Sequence, residues 1–515
     1  MINKERAPYV LGIDAGTSSI RVGIFDLEGT PIAFSNESYP LYTPHSGWAE
    51  QNPEDWWNSL CVASRRAIKE NNIDPNRIIG MSLDTTCCTV LLVDKDIKPI
   101  RPAIMWMDVR ASNQAKRIAE TKDDALKYNG FGNVSAEWMP CKALWLKENE
   151  PENYNKAAHV IECLDWMTYR LTGRLTASIN TTSCRWYYNR PAGGWPVDFY
   201  KKIGLEDLLA KYPKDILDMG EKVGTLTETA AEELGLVPGI PVAEGGADAF
   251  VGVIGLNVVE PGKIALITGS SHLHVGLSSK EIHAPGIFGA YPDAIIPGLS
   301  MVEGGQISTG SIINWFKTNF CGYIDTIAKQ RNCSIYDILN QEAEKIPIGS
   351  EGLIVLDYFQ GNRTPLTDSD IRGMIYGLSL NHTPAHIFRA IIEGICYGTE
   401  NVFQSFGKAG FKPKEICISG GAVKSKLWVN IHADVCNLPI SIPKVSEAPA
   451  LGSAILASVV AGAYDSVQSA AGKMVHYVDR VEPNLERHEE YKFYLKKYID
   501  IYPILKDWMH EVTTH

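Results

Sequence analysis

The sequence of 515 residues has no hydrophobic run long enough to cross a membrane. A transmembrane helix needs about 20 predominantly apolar residues, and the longest apolar stretch, 454–464, is much shorter and contains Ser458 and Gly462. The pattern of a secretory signal peptide is also missing, because the apolar stretch at 9–13 is followed directly by Asp14. These absences predict a cytoplasmic protein with no membrane partner.

Cysteine pairs of the CxxC type are absent, although the chain has eleven cysteines. Without an export signal, an odd number of scattered cysteines predicts free thiols in a reducing compartment. Most of them are expected to be small buried side chains. Whether the adjacent Cys87 and Cys88 are reactive depends on their exposure, which the sequence leaves open.

An excess of positive charge is missing too. The 49 Lys and Arg residues against 60 Asp and Glu residues give a net charge of −11. A negative surface disfavours non-specific binding to nucleic acid, so no nucleic-acid partner is expected. Anionic small molecules are not excluded, because backbone amides can bind phosphate without lysines.

Several catalytic motifs are absent. The sequence has no GxxxxGK[ST] loop, no GxSxG elbow and no HExxH site. These absences exclude a P-loop nucleotide enzyme, a nucleophile-elbow hydrolase and a zincin. His272 and His274 share one face of a predicted strand, but no third ligand has suitable spacing, so we expect no metal there.

What the sequence does contain is a strand, a turn of small residues and a second strand, first at 9–26 and again at 263–277. The two copies lie about half the chain apart, which indicates an internal repeat of a whole domain. The turn-forming stretch at 260–262 is a natural boundary. The sequence therefore predicts two domains, 1–260 and 261–515.

Helices alternate with these strands. Asn52 is a good cap for a helix that has Pro53 at its first position and runs to about residue 70. Further helices are predicted over 384–406 and after Pro449, and a strand over 415–419. This alternation predicts an α/β fold.

Two turns have the composition of a phosphate site. Asp14 ends a predicted strand and is followed by Gly16, Thr17 and Ser18, while the second turn runs over 268–271. Glycine lets backbone amides approach a ligand, hydroxyls add donors, and a carboxylate can hold hydrated Mg²⁺. The alternative is an ordinary hairpin turn. Two such turns from two half-chains could face each other and hold phosphates between them.

Asp248 lies among glycines and apolar residues. It could act as a general base that accepts the proton of an alcohol, or it could cap a helix that begins at Ala249. The glycines at 420 and 421, followed by Lys424, would let a flat group lie against the backbone, although two glycines alone are a weak motif.

Taken together and in this order, these motifs resemble the FGGY family of carbohydrate kinases from about residue 8 to 475. The resemblance implies two actin-like (ribonuclease H-like) domains with a cleft between them, the sugar mainly against the first and ATP with Mg²⁺ mainly against the second. It makes Asp248 the catalytic base and places Asp14 near the metal, through water. The implied nucleotide-binding residues are Asp14, Gly16, Thr17, Ser18, Thr268, Gly269, Ser270, Gly310, Gly420, Gly421 and Lys424.

Finer stretches are similar to the ribulose-kinase branch of that family. The implied sugar-binding residues are Thr86, Cys87, Asp108, Arg185, Glu303 and Asp248. The chain departs from the branch at Val109, where the branch has His, and at Arg185, where it has Lys. Because Arg and Lys are not interchangeable at a polar contact, these departures leave the substrate open.

The resemblance implies transfer of the γ-phosphate of ATP to a terminal hydroxyl of a ketopentose. Ribulose is the first candidate acceptor. Xylulose, erythritol and other polyols remain alternatives. Two other classes share the architecture, an ATPase that needs no sugar and a sugar sensor that does not phosphorylate. A homodimer is a common state for such an enzyme, but the sequence does not show the oligomeric state.

Overall fold

The structure is a computed structural model that describes residues 7–515. Its strands are β1 Tyr9–Ala15, β2 Ser19–Asp26, β3 Pro31–Ser38, β4 Glu50–Gln51, β5 Ile78–Thr85, β6 Val90–Val93, β7 Ala103–Ile104, β8 His159–Glu162, β9 Ala177–Ser178, β10 Ile216–Leu217, β11 Lys222–Thr225, β12 Pro241–Ala247, β13 Lys263–Thr268, β14 His272–Ser278, β15 Gly289–Pro292, β16 Ser300–Gln306, β17 Ile354–Leu356, β18 Met374–Tyr376, β19 Glu415–Gly420, β20 Ile440–Pro443 and β21 Tyr477–Val481.

The α-helices alternate with the strands. They are α1 Pro53–Glu70, α2 Ser112–Glu120, α3 Met139–Asn149, α4 Pro151–Lys156, α5 Cys163–Thr172, α6 Ile179–Arg185, α7 Val197–Lys202, α8 Glu228–Leu234, α9 Asp248–Gly255, α10 Gly310–Phe320, α11 Gly322–Arg331, α12 Ile335–Ala343, α13 Pro384–Ala409, α14 Lys426–Cys436, α15 Ala448–Val460, α16 Val467–Met474 and α17 Leu485–Thr514.

Two large sheets repeat the same strand order. The first has six strands in the order β11-β12-β5-β1-β2-β3, and the second has seven in the order β15-β16-β14-β13-β19-β20-β21. In each, an antiparallel hairpin (β1-β2 or β13-β14) is followed by two strands that run parallel to its first strand (β5 and β12, or β19 and β20). The predicted α/β fold and the repeat of a whole domain are therefore both confirmed.

Local sequence signals predict where three of the helices begin. Helix α1 begins at Pro53, and the Asn52 side chain accepts a hydrogen bond from the Glu54 backbone N–H. Helix α13 begins at Pro384 as predicted and ends at Ala409, three residues beyond the expected end. Helix α15 begins one residue before Pro449.

Helix α15 belongs to the second half of the sequence but packs on the first sheet. A Cβ atom on Gly12 of β1 would lie 2.0 Å from the Ala450 carbonyl oxygen, and one on Gly80 of β5 would lie 2.3 Å from that of Ala457. The backbones therefore touch where the helix crosses the sheet. The division of the chain at residue 260 stays a prediction, since this later segment completes the core of the first sheet.

No helix within residues 7–515 combines the length and the apolar character that a membrane span requires.

Candidate active site

The candidate site lies at one edge of the first sheet, where three neighbouring strands end. Strand β5 lies between β1 and β12 and runs parallel to both, and Asp14 pairs in register with Asp84. Asp248 follows directly after β12. Because the carboxyl ends of parallel strands meet at one edge of a sheet, three carboxyl groups converge there.

Asp248 is the first residue of α9, whereas the sequence suggested a cap before a helix starting at Ala249; the capping position belongs to Ala247. One oxygen, Oδ1, accepts a hydrogen bond of 2.6 Å from the Ala249 backbone N–H. Burial, with a smaller contribution from the negative charge of Asp14, raises the pKa of Asp248 to about 7. A carboxylate with a pKa near neutrality is well matched to taking up a proton.

Asp84 is a site residue that sequence reasoning missed. Its side chain is completely buried, and its Oδ2 accepts a hydrogen bond of 2.7 Å from the Ser453 hydroxyl of α15. Burial and then the charge of Asp14 raise its pKa well above the usual range. The signal that could have found it is the aspartate that ends the strand next to the one carrying Asp14.

Asp14 forms an ion pair with Arg21 at 3.2 Å. Burial outweighs this pair and raises the pKa of Asp14. Carboxylate oxygens are the ligands that Mg²⁺ takes up, usually while it keeps several waters. Among the described residues, Asp14, Asp84 and Asp248 do not lie close enough to one another to share one ion directly. The predicted metal residue, Asp14, fits a hydrated Mg²⁺, whose waters its carboxylate would bind.

A cavity of about 350 Å³ opens beside Asp248. It brings together residues that the sequence predicted from both halves of the chain: Thr17, Thr86, Cys87, Arg185, Asp248, Ser270 and Glu303. Thr17 of the first polar turn and Ser270 of the second therefore line one cavity. Cys88, expected near the pocket, also lines it, and the structure adds Trp106, Glu137, Phe250 and Arg363, which were not assigned to the site. Trp106 donates a hydrogen bond of 3.0 Å from its indole N–H to the Thr17 hydroxyl.

Asp108, by contrast, does not line this cavity. It is completely buried, and its Oδ2 accepts hydrogen bonds from the Ala49 backbone N–H at 2.6 Å and from the Arg110 guanidinium at 2.8 Å. Its Oδ1 accepts the Arg110 Nε–H at 2.9 Å. Asp108 thus holds a loop together, and in this arrangement its carboxylate is fully occupied by protein donors.

Arg185 and Glu303 join the two halves at the far wall of the cavity. The guanidinium donates to both Glu303 oxygens, each at 3.1 Å, and to the Tyr291 hydroxyl at 2.6 Å. Tyr291 in turn donates to Glu303 at 2.7 Å. The planar guanidinium with its fork of donors suits this three-sided arrangement, which a lysine could not reproduce.

A second cavity, of about 260 Å³, lies at the ends of β13 and β19. Of the predicted nucleotide residues it is lined by Thr268, Gly269, Gly310, Gly421 and Lys424. Aromatic and polar side chains that were not predicted complete it: Tyr336, Asn340, Phe388 and Trp428. Flat apolar walls beside glycine backbone suit a heterocyclic base.

Two glycines are required where the backbone segments of this second cavity touch. A Cβ on Gly310 would lie 2.3 Å from the Gly269 carbonyl oxygen, and one on Gly420 only 1.9 Å from that of Thr268. Gly420 also has φ +92°, a conformation that favours glycine. The Thr268 hydroxyl donates to the Ser419 carbonyl at 2.6 Å and accepts the Ala422 N–H at 3.0 Å, so it ties the turn together.

The remaining predicted residues lie near the cavities without lining them. The Gly16 N–H donates to the Ser19 carbonyl at 3.0 Å, and the Ser18 carbonyl accepts the Tyr39 N–H at 3.1 Å. Both bonds shape the turn that presents Thr17.

His272 and His274 are buried, and the cysteines are unpaired. Burial lowers the pKa of His272 and brings that of His274 to about 3, so both rings are neutral. Neither belongs to a metal-ligand group among the described residues. All eleven cysteines are free thiols, as predicted.

The pH dependence of a reaction at this site should follow Asp248. A general base works only when deprotonated, so its activity is lost as the pH falls through its pKa. We expect kcat/KM for the acceptor to decline below about pH 7, approaching tenfold per pH unit, because the pKa of Asp248 is raised to about 7. Initial rates measured across the acidic and neutral range check this, and a flat profile would contradict it.

Comparison with known proteins gives one consistent result. The model of the "FGGY family of carbohydrate kinases, N-terminal domain" matches residues 9–255, and that of the C-terminal domain matches residues 264–461. A "FGGY carbohydrate kinase domain-containing protein" of Xenopus laevis is 36% identical, with 96% of each chain covered. A ribulokinase of Bacillus licheniformis is 33% identical, with 88% of this chain and 87% of that protein covered.

Among solved structures, a xylulose kinase from Rhodospirillum rubrum superposes with a TM-score of 0.86, covering 98% of this chain and 100% of that one. At 23% sequence identity, this likeness bears on the fold alone.

Proposed function

Because the chain belongs to the FGGY family of carbohydrate kinases, whose members are phosphotransferases with an alcohol group as acceptor, we propose that it phosphorylates a terminal hydroxyl of a ketopentose. Ribulose is the first candidate for this ketopentose. The observation that carries the proposal is the cavity shared by Asp248 and Thr17 of the first half and Ser270 and Glu303 of the second. Xylulose, erythritol and other polyols remain alternative acceptors.

The reaction follows from the positions of these side chains. A sugar in the cavity directs its terminal hydroxyl to Asp248, which accepts the proton as the oxygen attacks the γ-phosphorus of ATP. The bond from that phosphorus to the β,γ-bridging oxygen breaks at the same time, and ADP leaves with the bonding electron pair. Phosphoryl transfer asks the protein mainly for positioning and charge stabilisation. Thr17 and Ser270 lie where their turns can donate hydrogen bonds to the transferred phosphoryl group.

ATP is assigned to the second cavity, with its base between the apolar walls and its phosphates directed past Gly269 toward Ser270. When bound, Mg²⁺ supplies positive charge to the phosphoryl oxygens. Asp14 is the residue that would hold its waters. The first half of the chain therefore contributes the sugar site and the base, and the second half most of the nucleotide site.

The relatives favour ribulose, and the charged lining of the cavity favours a ligand with several hydroxyls. Curated relatives that cover most of the chain at about one-third identity include ribulokinases. The Arg185–Glu303 pair and Glu137 also present charged groups to a ligand with several hydroxyls. A site that hydrogen-bonds substrate hydroxyls discriminates strongly against analogues that lack them.

The direct test is ADP production from Mg-ATP with a panel of ketoses, aldoses and polyols, each beside a control without sugar. A signal that depends on sugar supports the proposal, and the largest kcat/KM identifies the acceptor. Equal hydrolysis in every well would favour the sugar-independent ATPase. Sugar binding without any ADP production would favour the sensor.

Replacing Arg185 with Lys tests the sugar side of the cavity. Lysine keeps the charge but cannot reach both Glu303 oxygens and Tyr291 together, so Glu303 becomes less well fixed. The loss of one charge-assisted hydrogen bond is about 1.5–3 kcal/mol, and we expect KM for the sugar to rise at least roughly tenfold. KM for ATP should stay unchanged, because the nucleotide cavity lies elsewhere. Steady-state kinetics in both substrates separates these effects, and an equal rise in both would contradict the assignment.

A further inference from the structure

Two adjacent thiols point into the same cavity. Neighbouring residues of an extended strand direct their side chains to opposite faces, but Cys88 has φ +62° and turns the chain after β5. As a result the Cys87 and Cys88 sulfur atoms lie 3.6 Å apart, and both residues line the sugar cavity. Cys88 is almost fully buried, and Cys87 is partly exposed.

A buried carboxylate faces the two sulfurs. Glu162, at the end of β8, accepts the Cys88 backbone N–H at 2.8 Å and the Trp186 indole N–H at 2.6 Å. Each of these bonds uses one carboxylate oxygen and leaves it a further lone pair. One ligand atom from each of Cys87, Cys88 and Glu162 lies within 4.8 Å of the other two.

The Cys88 thiol donates a hydrogen bond to the Cys87 sulfur, so the pair is reduced, and its spacing can be compared with that of two thiolates on one ion. Two thiolates on one tetrahedral Zn²⁺, with Zn–S bonds of about 2.3 Å, lie about 3.8 Å apart, close to the 3.6 Å observed. A disulfide requires about 2.05 Å, so the sulfurs would have to approach by a large fraction of their separation. The pair is therefore already spaced for a shared ion.

We propose that Cys87, Cys88 and Glu162 form a binding site for a thiophilic divalent cation of the zinc class, with its fourth position open to the sugar cavity. Three protein ligands and one open position are a recurring zinc arrangement. Mg²⁺ is a poor match for two sulfur ligands, since it prefers oxygen. The site is thus chemically separate from the carboxylates around Asp248.

Binding must release protons, because a thiol coordinates as the thiolate. Affinity should therefore increase with pH. The other titratable or charged groups around the three ligands include Cys141, Lys142, Cys163, Asp165, Cys184, Arg185 and Tyr212.

Of these neighbours, two are cations that partly offset the negative ligands. The Lys142 ammonium donates to the Cys88 carbonyl at 2.6 Å, and the positive charge of Arg185 lowers the pKa of both Cys87 and Glu162. A bound ion would also occupy the wall of the cavity beside Thr86. An ion in this position should compete with the sugar. This competition rests on the proposed kinase function, whereas binding of the ion does not.

Cadmium is the probe for the test, because its thiolate complexes absorb in the ultraviolet in proportion to the number of Cd–S bonds. The fully reduced protein is titrated with Cd²⁺ without ATP or sugar, so the result is independent of kinase activity. We expect one Cd²⁺ per chain with two thiolate ligands, displaced by Zn²⁺ and bound more tightly as the pH rises.

Variants assign the signal to these residues. Cys87→Ser should lose about half of the absorption per bound ion and bind at least tenfold more weakly, while Cys87→Ser/Cys88→Ser should lose the signal. Glu162→Gln keeps both thiols, so it should weaken binding and leave the absorption per bound ion unchanged. The matched control is Cys61→Ser/Cys333→Ser, which removes the half-buried and the exposed thiol outside the cavity and should titrate like the parent protein.

The outcomes that overturn the proposal are specific. Parent protein that binds no Cd²⁺, a Cys87→Ser protein that titrates like the parent, or loss of the signal in the Cys61→Ser/Cys333→Ser control would each reject the site. If the double cavity variant does not fold, Cys87→Ser and Glu162→Gln still decide the question. A protein that binds Cd²⁺ as described but phosphorylates no sugar would retain this site and refute only the proposed function.

Discussion

Replacing Asp248 with Asn is expected to lower kcat for sugar phosphorylation by about 10²- to 10⁴-fold. The amide has nearly the shape of the carboxylate but cannot accept the proton of the attacking hydroxyl. Because Asp248 lines the sugar cavity and not the nucleotide cavity, ATP should bind with nearly unchanged affinity. Sugar-dependent ADP production and ATP binding by calorimetry, measured on the same preparation, check both halves of this expectation.

The control is Asp500→Asn, the same change on α17, where Asp500 pairs with Lys496 on the surface. That variant should behave like the parent protein. Near-normal turnover of Asp248→Asn would remove Asp248 from the role of base. An equal loss of ATP binding and turnover would instead show that the aspartate mainly organises the site.

Residual activity in the Asp248 variant provides a second check. If Asp248 is the group whose protonation causes the loss of activity below about pH 7, that loss should disappear from the pH profile of Asp248→Asn. Asp14 and Asp84 lie in the same cluster and also have raised pKa values. An unchanged acidic decline would transfer the titration to one of them.

Replacing Gly12 with Ala is expected to destabilise the fold by about 3 kcal/mol or more. The added methyl group would lie 2.0 Å from the Ala450 carbonyl oxygen and 2.8 Å from the Ala454 nitrogen. Both are backbone atoms of α15, so no side-chain rotation can relieve the contact. The helix would have to move away from the sheet that carries Asp14.

Thermal and denaturant unfolding measure this effect. The matched control is Gly472→Ala in α16, where the methyl group meets nothing within 4 Å and alanine favours the helix. That variant should be as stable as the parent protein or more stable, by up to about 1 kcal/mol. Equal stability of Gly12→Ala and the parent would mean that α15 does not touch the sheet as described.

A shift of α15 should also reach the active site. Ser453 of α15 donates to Asp84, which lies in the acidic cluster. Helix α9, which carries Asp248, packs closely against α15, because a Cβ on Gly452 would lie only 2.1 Å from the Val251 carbonyl oxygen. We therefore expect Gly12→Ala to lose turnover even at temperatures where it remains folded.

Local patterns determined much of the fold. The cap at Asn52 and the proline at 53 start α1 as predicted, because both act on the first turn alone. The two strand-turn-strand copies, at 9–26 and 263–277, indicated the repeat that both sheets display. Such signals are readable because they depend on residues that are close in sequence.

Local patterns predicted only some of the residues at the candidate site. The strand ends at Asp14 and Thr268 follow from local patterns. The motif around Asp248 was ambiguous between a helix cap and a base, and its proposed role as base came from resemblance to a family. The structure places Asp248 in a shared cavity with Thr17 and Ser270. It turns Asp108, implied as a sugar ligand by the same resemblance, inward onto Arg110.

The sequence by itself determined the α/β class, the repeat, the free thiols and the two polar turns, since each depends on composition or on neighbouring residues. Only the tertiary structure decided that Asp84 joins the acidic cluster, that Arg185 pairs with Glu303 across 118 positions, and that α15 completes the first sheet. These contacts join residues far apart in sequence. Their energies come from burial and from backbone approaching backbone, which no local pattern encodes.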